Sequence, residues 1–118
     1  MLIVITNPAK NIIYKGSFSK TKNPIDYFLI YAALDTQEDL QMDGRIAKSK
    51  LFPSGHRLLI AHKAQDKIPR RFIELIDQFF IEEMMNPYVD DNEVLSSKFS
   101  ENVEDAFNKT MLKVDFSI

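Results

Sequence analysis

The sequence contains no cysteine and no tryptophan, and only three of its 118 residues are glycine. The lack of cysteine excludes disulfides, thiolate metal ligands and a cysteine nucleophile, and it fits a reducing compartment. The glycines, Gly16, Gly44 and Gly55, are each isolated along the chain. The sequence therefore excludes the phosphate-binding loops GxGxxG and GxxxxGK(S/T), which need several glycines close together.

Groups that could carry out catalysis are also sparse. His56 and His62 are the only two histidines. One is predicted in a turn and the other at the end of a strand, so nothing holds them as a metal-binding pair. Adjacent acids such as Glu82–Glu83 and Asp90–Asp91 seldom share the cleft that separates the pKa values of a catalytic pair, and Ser96–Ser97 has no base nearby in the sequence. We predict that the protein is not an enzyme and uses no metal or cofactor.

The apolar residues are spread along the chain rather than concentrated. No run approaches the roughly 18 to 20 residues of a membrane span. The opening sequence MLIVITNP has no basic region and only a short apolar stretch, so we expect a first strand and not a signal peptide. With 45% hydrophobic and 27% charged residues, the composition is typical of a globular protein, and we expect a single domain over residues 1–118.

The charge is unevenly distributed around a net value of −2. Residues 45–71 contain eight basic residues and one acidic residue, whereas residues 72–106 contain ten acidic residues and one lysine. This pattern is typical of two solvated faces of opposite sign. The alternative is a bipolar surface that orients charged partners. Because the basic residues are not interleaved with aromatic residues and the whole chain is acidic, we expect no nucleic-acid binding.

Four apolar and β-branched runs predict strands. They cover Leu2–Thr6, Asn11–Phe18, Arg45–Lys50 and Arg57–His62. Turn-forming residues at 7–10 and 53–56 join these strands into two predicted hairpins.

Three helices complete the predicted order β-β-α-β-β-α-α. They cover Pro24 to about Leu40, Ile68–Met85, and Ser97 or Ser100 to Lys113. The spacing of apolar residues predicts the buried stripe of the first helix at Ile25, Phe28, Leu29 and Ala32. Hairpins that flank helices predict an α+β fold, in which an antiparallel sheet carries helices on its faces.

Two short motifs mark the ends of helices. Asn86-Pro87-Tyr88 stops the second helix, because proline cannot continue a helix and restricts the residue before it. A loop then leads to Ser96-Ser97-Lys98-Phe99, which opens the third helix.

These motifs, the N-terminal hairpin and the helix ending Tyr31-Ala32-Ala33-Leu34-Asp35 together resemble the sedlin family, small subunits of the TRAPP vesicle-tethering complex. The resemblance includes sedlin and its close paralogue. It implies a longin-type (profilin-like) fold, with a five-stranded antiparallel sheet, one helix on one face and two on the other. Only about ten residues separate Leu40 from Leu51, where the family has a longer loop and another strand. We therefore expect four or five strands here.

The resemblance also implies a function. The protein would be a non-catalytic adaptor that links other TRAPP subunits in a hetero-oligomer, supports activation of a Rab GTPase, and acts in endoplasmic reticulum-to-Golgi transport. It would be cytoplasmic and peripheral at those membranes. The alternative is a free-standing longin-like regulator that binds a small GTPase or SNARE directly.

Candidate interface residues come from the resemblance and from local charge. Asp35 matches the family's aspartate near the end of the first helix, and an acid at that end opposes the helix dipole. The alternative is that Asp35 is an acid on a solvated helix face with no partner role. Asn86, Pro87 and Tyr88 match the family's helix stop, with Tyr88 where phenylalanine is usual. This stop is either structural or part of a partner surface with the acidic residues that follow it. Basic side chains at the start of the second helix suggest contact with an acidic partner or anionic lipid headgroups: Lys67, Arg70 and Arg71.

Overall fold

The computed structural model describes residues 1–18, 24–36, 39–64, 67–85 and 97–110. These residues form five strands and three helices. In chain order the elements are β1 (Leu2–Thr6), β2 (Ile12–Ser17), α1 (Pro24–Thr36), β3 (Leu40–Met42), β4 (Arg45–Leu51), β5 (Arg57–Lys63), α2 (Arg70–Met84) and α3 (Ser97–Thr110). The chain divides into two compact units, residues 1–66 and 67–118, which are described separately. A single domain over residues 1–118 stays a prediction.

The first unit contains the whole sheet. Its strand order is β2-β1-β5-β4-β3, and every neighbouring pair is antiparallel. The α+β class is confirmed, and the five strands and three helices are compatible with a longin/profilin-like fold. The predicted placement of one helix on one face of the sheet and two on the other stays a prediction.

The prediction of β-β-α-β-β-α-α was wrong by one strand. Helix α1 ends at Thr36 and does not reach Leu40, and Leu40–Met42 pairs with Arg45–Ala47 instead. The turn between them is Asp43-Gly44, where both residues have positive φ, 51° and 75°. Positive φ at both central residues is the geometry of a type I′ turn, whose twist matches that of the flanking strands. This turn creates β3.

Helix α1 packs on the sheet through a continuous apolar core. The helix contributes Leu29, Ile30, Ala33 and Leu34, and the strands contribute Leu2, Val4, Ala47, Leu59 and Ala61. The predicted stripe was partly wrong. Leu29 is buried, but Phe28 is 60% exposed, because the helix is rotated so that Ile30 and Leu34 face the sheet. Ile25 and Ala32 are half-buried.

The second unit is built from α2 and α3. The inner faces of the two helices are buried at Phe72, Ile76 and Phe80 on α2 and at Phe99, Val103 and Ala106 on α3. The ring of Phe107 meets that of Phe72 edge to face, with centroids 6.2 Å apart and planes at 76°, a favoured arrangement for aromatic rings. Helix α3 begins at Ser97, the earlier of the two predicted starts. Its predicted end, Lys113, lies outside the described residues.

Candidate protein-interaction surface

The outer face of α1 carries two exposed aromatic rings and an exposed acid. Phe28 is 60% and Tyr31 49% exposed, and Asp35 and Pro24 are exposed as well. These four positions are separated by steps of four, three and four residues, so they form one stripe along the helix. We call Pro24, Phe28, Tyr31 and Asp35 the α1 stripe. It includes Asp35, the first interface residue predicted from the sequence.

A buried ion pair fixes the start of α1 to the sheet. Asp26, in the first turn of α1, binds Arg45 of β4 with both carboxylate oxygens: the Arg45 Nε donates to Oδ1, and Nη2 donates to Oδ2 at 2.7 Å. The side chains are only 5% and 12% exposed, respectively. A bidentate ion pair of this kind fixes the relative orientation of the two side chains as well as the distance between them. It therefore sets the rotation of α1 that leaves the stripe on the outside.

A second polar contact joins α1 to β2, the strand at the opposite edge of the sheet from β3. The ammonium of Lys15, on β2, lies 4.5 Å from the centroid of the Tyr27 ring, within the range of a cation–π interaction. Helix α1 is thus held by β4 through Asp26 and by β2 through Tyr27. The stripe is presented on a fixed helix and not on a loop.

The C-terminal end of the stripe is acidic. Helix α1 contains no lysine or arginine, so Asp35 has no basic side chain on its own helix. The next acid along the described chain, Asp39, is also exposed and accepts a hydrogen bond from the Ser49 backbone N–H at 3.0 Å. A partner that covers the stripe would therefore meet apolar rings and then negative charge.

The other predicted interface residues lie elsewhere or outside the described chain. Lys67, Arg70 and Arg71 are exposed at the start of α2, in the second unit. Arg70 Nε lies 3.4 Å from Glu74 Oε1, and Arg71 Nη1 lies 4.0 Å from Glu74 Oε2. Glu74 thus offsets part of this positive charge within the helix. The predicted helix stop, Asn86, Pro87 and Tyr88, lies outside the described residues.

The two histidines are buried in the first unit. His56 Nδ1 lies 2.8 Å from Ser54 Oγ, and His62 Nδ1 lies 2.7 Å from the Lys63 carbonyl oxygen. Because a carbonyl only accepts, His62 carries a proton on Nδ1. Among the described residues, no group of three or more histidine or acidic side chains is arranged to hold a metal ion. The histidines are therefore held by local hydrogen bonds.

Sequence reasoning missed the exposure of Phe28 and Tyr31. Helix α1 is apolar almost all round, so two different faces give equally good apolar stripes. The polar residue Asp26 is the signal that could have found the right face. An acid one turn before Ile30 and two turns before Ala33 lies on the same inner face and requires a basic partner in the sheet, which Arg45 supplies.

Models of known protein families and curated proteins give no match to this chain. In the helices of the part of the chain that the structure describes, no segment is long and apolar enough to cross a membrane.

Proposed function

We propose that the protein is a non-catalytic adaptor subunit of a TRAPP-type vesicle-tethering complex, of the sedlin type or its paralogue. In this proposal it acts in endoplasmic reticulum-to-Golgi transport and supports the activation of a Rab GTPase. The α1 stripe carries the proposal, because it offers a partner two exposed aromatic rings beside an acid on a firmly held helix. The type of complex, a TRAPP-type tether, is inferred from the sequence motifs that resemble the sedlin family.

The chemistry of the stripe suits protein binding. Aromatic side chains are enriched at protein interfaces and dominate their binding energy, because they bury much area at little cost in conformational entropy. Phe28 is 60% exposed to solvent and Tyr31 is 49% exposed. Both rings therefore have surface that a partner could bury. Asp35 at the edge of the rings would select a partner with a basic side chain at the matching position.

The proposed partners are other TRAPP-type subunits, with the Rab GTPase reached indirectly. The proposed location is cytoplasmic and peripheral at endoplasmic reticulum and Golgi membranes. The exposed bases Lys67, Arg70 and Arg71 would add a second contact, with an acidic partner or with anionic lipid headgroups. In this proposal the contact through the bases is weaker than the one through the α1 stripe, because Glu74 offsets part of the positive charge of both arginines. Nucleic acid has no part in the proposal.

Purification of the tagged protein from its own cells, with mass spectrometry of what accompanies it, tests the proposal. The expected result is several small longin-type and related tethering subunits in fixed proportion. A lone GTPase or SNARE would contradict it and favour the free-standing regulator. The same purified protein, tested alone, is expected to leave nucleotide exchange by Rab GTPases unchanged.

A substitution within the stripe sharpens this test. Asp35→Tyr is expected to fold and remain soluble, because Asp35 is exposed, but to lose at least one partner. Glu104→Tyr is the matched control, since Glu104 is an exposed acid on α3, and it is expected to keep every partner. An Asp35→Tyr protein that unfolds would show that Asp35 is structural.

A further inference from the structure

We infer that the α1 stripe also pairs with the α1 stripe of a second copy of this chain, as two antiparallel helices related by a two-fold axis. The inference goes beyond the proposed adaptor function. It rests only on the geometry and charge of α1 and not on the identity of any other subunit.

The stripe is symmetric when read in either direction. Its steps of four, three and four residues are the same from Pro24 to Asp35 and from Asp35 to Pro24. A two-fold axis between Phe28 and Tyr31 therefore sets Phe28 of each copy against Tyr31 of the other, and Asp35 against Pro24. A two-fold interface needs a patch that is complementary to itself, and aromatic rings pack well against one another in offset or edge-on geometry.

Charge is also complementary in this arrangement. On its own helix, Asp35 lies near the C-terminus, where the helix dipole disfavours an acid. In the antiparallel pair, it lies beside the N-terminus of the other α1, where the dipole favours an acid. The two Asp35 carboxylates stay about 16 Å apart along the axis, at a rise of about 1.5 Å per residue. No other charged side chain of α1 opposes the pairing, because Asp26 is buried with Arg45.

The other exposed apolar pair has the same spacing but lacks this charge complementarity. Ile81 and Met85 are exposed on α2, and the same face continues through Gln78 to Glu74. An antiparallel pair through this face would set Glu74 against Met85, at the C-terminus of the other α2, where the helix dipole disfavours an acid. The α1 stripe is the better self-complementary surface, and Ile81 provides a matched control.

The size of the stripe predicts weak and reversible pairing. An aromatic side chain has roughly 150–250 Å² of surface to bury, so the four half-exposed rings of two stripes supply about 400 Å². Stable specific interfaces bury about 1,200–2,000 Å². The pair therefore belongs with transient contacts and should be seen only at high protein concentration. A tethering subunit with a larger surface would displace it.

Sedimentation equilibrium over a concentration series tests the inference on the full chain. The wild type and Ile81→Ser are expected to form dimers with the same dissociation constant. Phe28→Ser and Asp35→Lys are expected to weaken the dimer at least tenfold, with unchanged circular dichroism. A wild-type chain that stays monomeric at millimolar concentration would overturn the inference. Equal weakening by Ile81→Ser and Phe28→Ser would overturn it as well.

Cross-linking tests the antiparallel register. Since the chain has no cysteine, Pro24→Cys and Asp35→Cys each introduce a single thiol. Mixing the two variants under mild oxidation is expected to give a disulfide-linked pair that contains one of each. Faster linking of either variant to itself would indicate a parallel pair and overturn the inference.

The two proposals fail separately. A chain that stays monomeric but copurifies with tethering subunits would overturn the pairing and leave the adaptor proposal standing. A dimer with the predicted register, from a chain that recovers no tethering subunit, would support the pairing and contradict the adaptor.

Discussion

Removing one partner of the Asp26–Arg45 pair should strongly destabilise the protein. The side chains are only 5% and 12% exposed, so Asp26→Ala leaves the guanidinium of Arg45 largely buried without its carboxylate. Breaking a buried ion pair in this way typically costs about 3–5 kcal/mol, because the remaining charge has lost its partner but not its burial. That is a large part of the roughly 5–15 kcal/mol by which a domain is stable.

Urea unfolding followed by circular dichroism measures this cost. With a slope of about 2 kcal/mol per M urea, a loss of about 4 kcal/mol lowers the midpoint by about 2 M. Arg45→Met should lower it by a similar amount, because it leaves the Asp26 carboxylate buried. The double variant Asp26→Leu/Arg45→Met should recover most of the loss, since a well-packed apolar pair often matches a buried ion pair.

The double-mutant cycle decides whether the reasoning holds. The two single variants should together cost far more than the double variant, which is the signature of a direct interaction. Two single variants that each cost less than about 1 kcal/mol, with additive effects, would refute the claim that this pair fixes α1. Asp39→Ala is the control, because Asp39 is exposed and accepts a hydrogen bond from a backbone amide through one carboxylate oxygen.

Three other substitutions test the packing and the turns by the same unfolding measurement. Gly16→Ala should cost about 1–3 kcal/mol, because a Cβ there would meet the hydroxyl of the buried Tyr14, which must move; an unchanged midpoint would show that this ring adapts freely. Gly44→Ala meets no atom within 4 Å, so only its positive φ of 75° is strained, and we expect about 1–2 kcal/mol; a larger loss would contradict the turn geometry. Phe72→Ala should cost about 3–5 kcal/mol, since it empties a fully buried site against Phe107; a loss below about 1 kcal/mol would place that ring outside the core.

The sequence predicted best those strands and helices whose residue pattern fits only one type of secondary structure. The strand predicted at Leu2–Thr6, with its apolar run Leu2–Ile5, has those bounds and is buried at every position. The strand predicted at Arg57–His62 is one residue longer. Helix α2 was predicted at 68–85 and runs from Arg70 to Met84, because its apolar and charged faces are clearly separated.

The prediction was wrong where the residue pattern fits two types of secondary structure. Residues 37–42 contain helix-forming acids and glutamines, so the first helix was extended to Leu40. The two-residue turn Asp43-Gly44 was the stronger signal, since Asp-Gly between two short runs is typical of a hairpin. A strand of three residues, Leu40–Met42, has too little pattern of its own and exists because it pairs with β4.

The candidate surface was predicted only in part. Asp35 was named from the sequence, but the aromatic rings beside it were not, because the apolar pattern of α1 does not specify which face is buried. That choice depends on Arg45, which is 19 residues away from Asp26 along the chain. Long-range charge pairing of this kind cannot be read from local periodicity.

Side-chain footprinting of the protein in its captured complex tests the central claim most directly. Hydroxyl radicals oxidise exposed aromatic side chains, so Phe28 and Tyr31 should be modified readily in the dilute free chain and protected in the complex. Ile81 and Met85, exposed on α2, serve as references. Protection of Phe28 and Tyr31, with unchanged oxidation of Ile81 and Met85, is the predicted result. Equal oxidation of Phe28 and Tyr31 in the free and captured protein would contradict the claim that the outer face of α1 binds a partner.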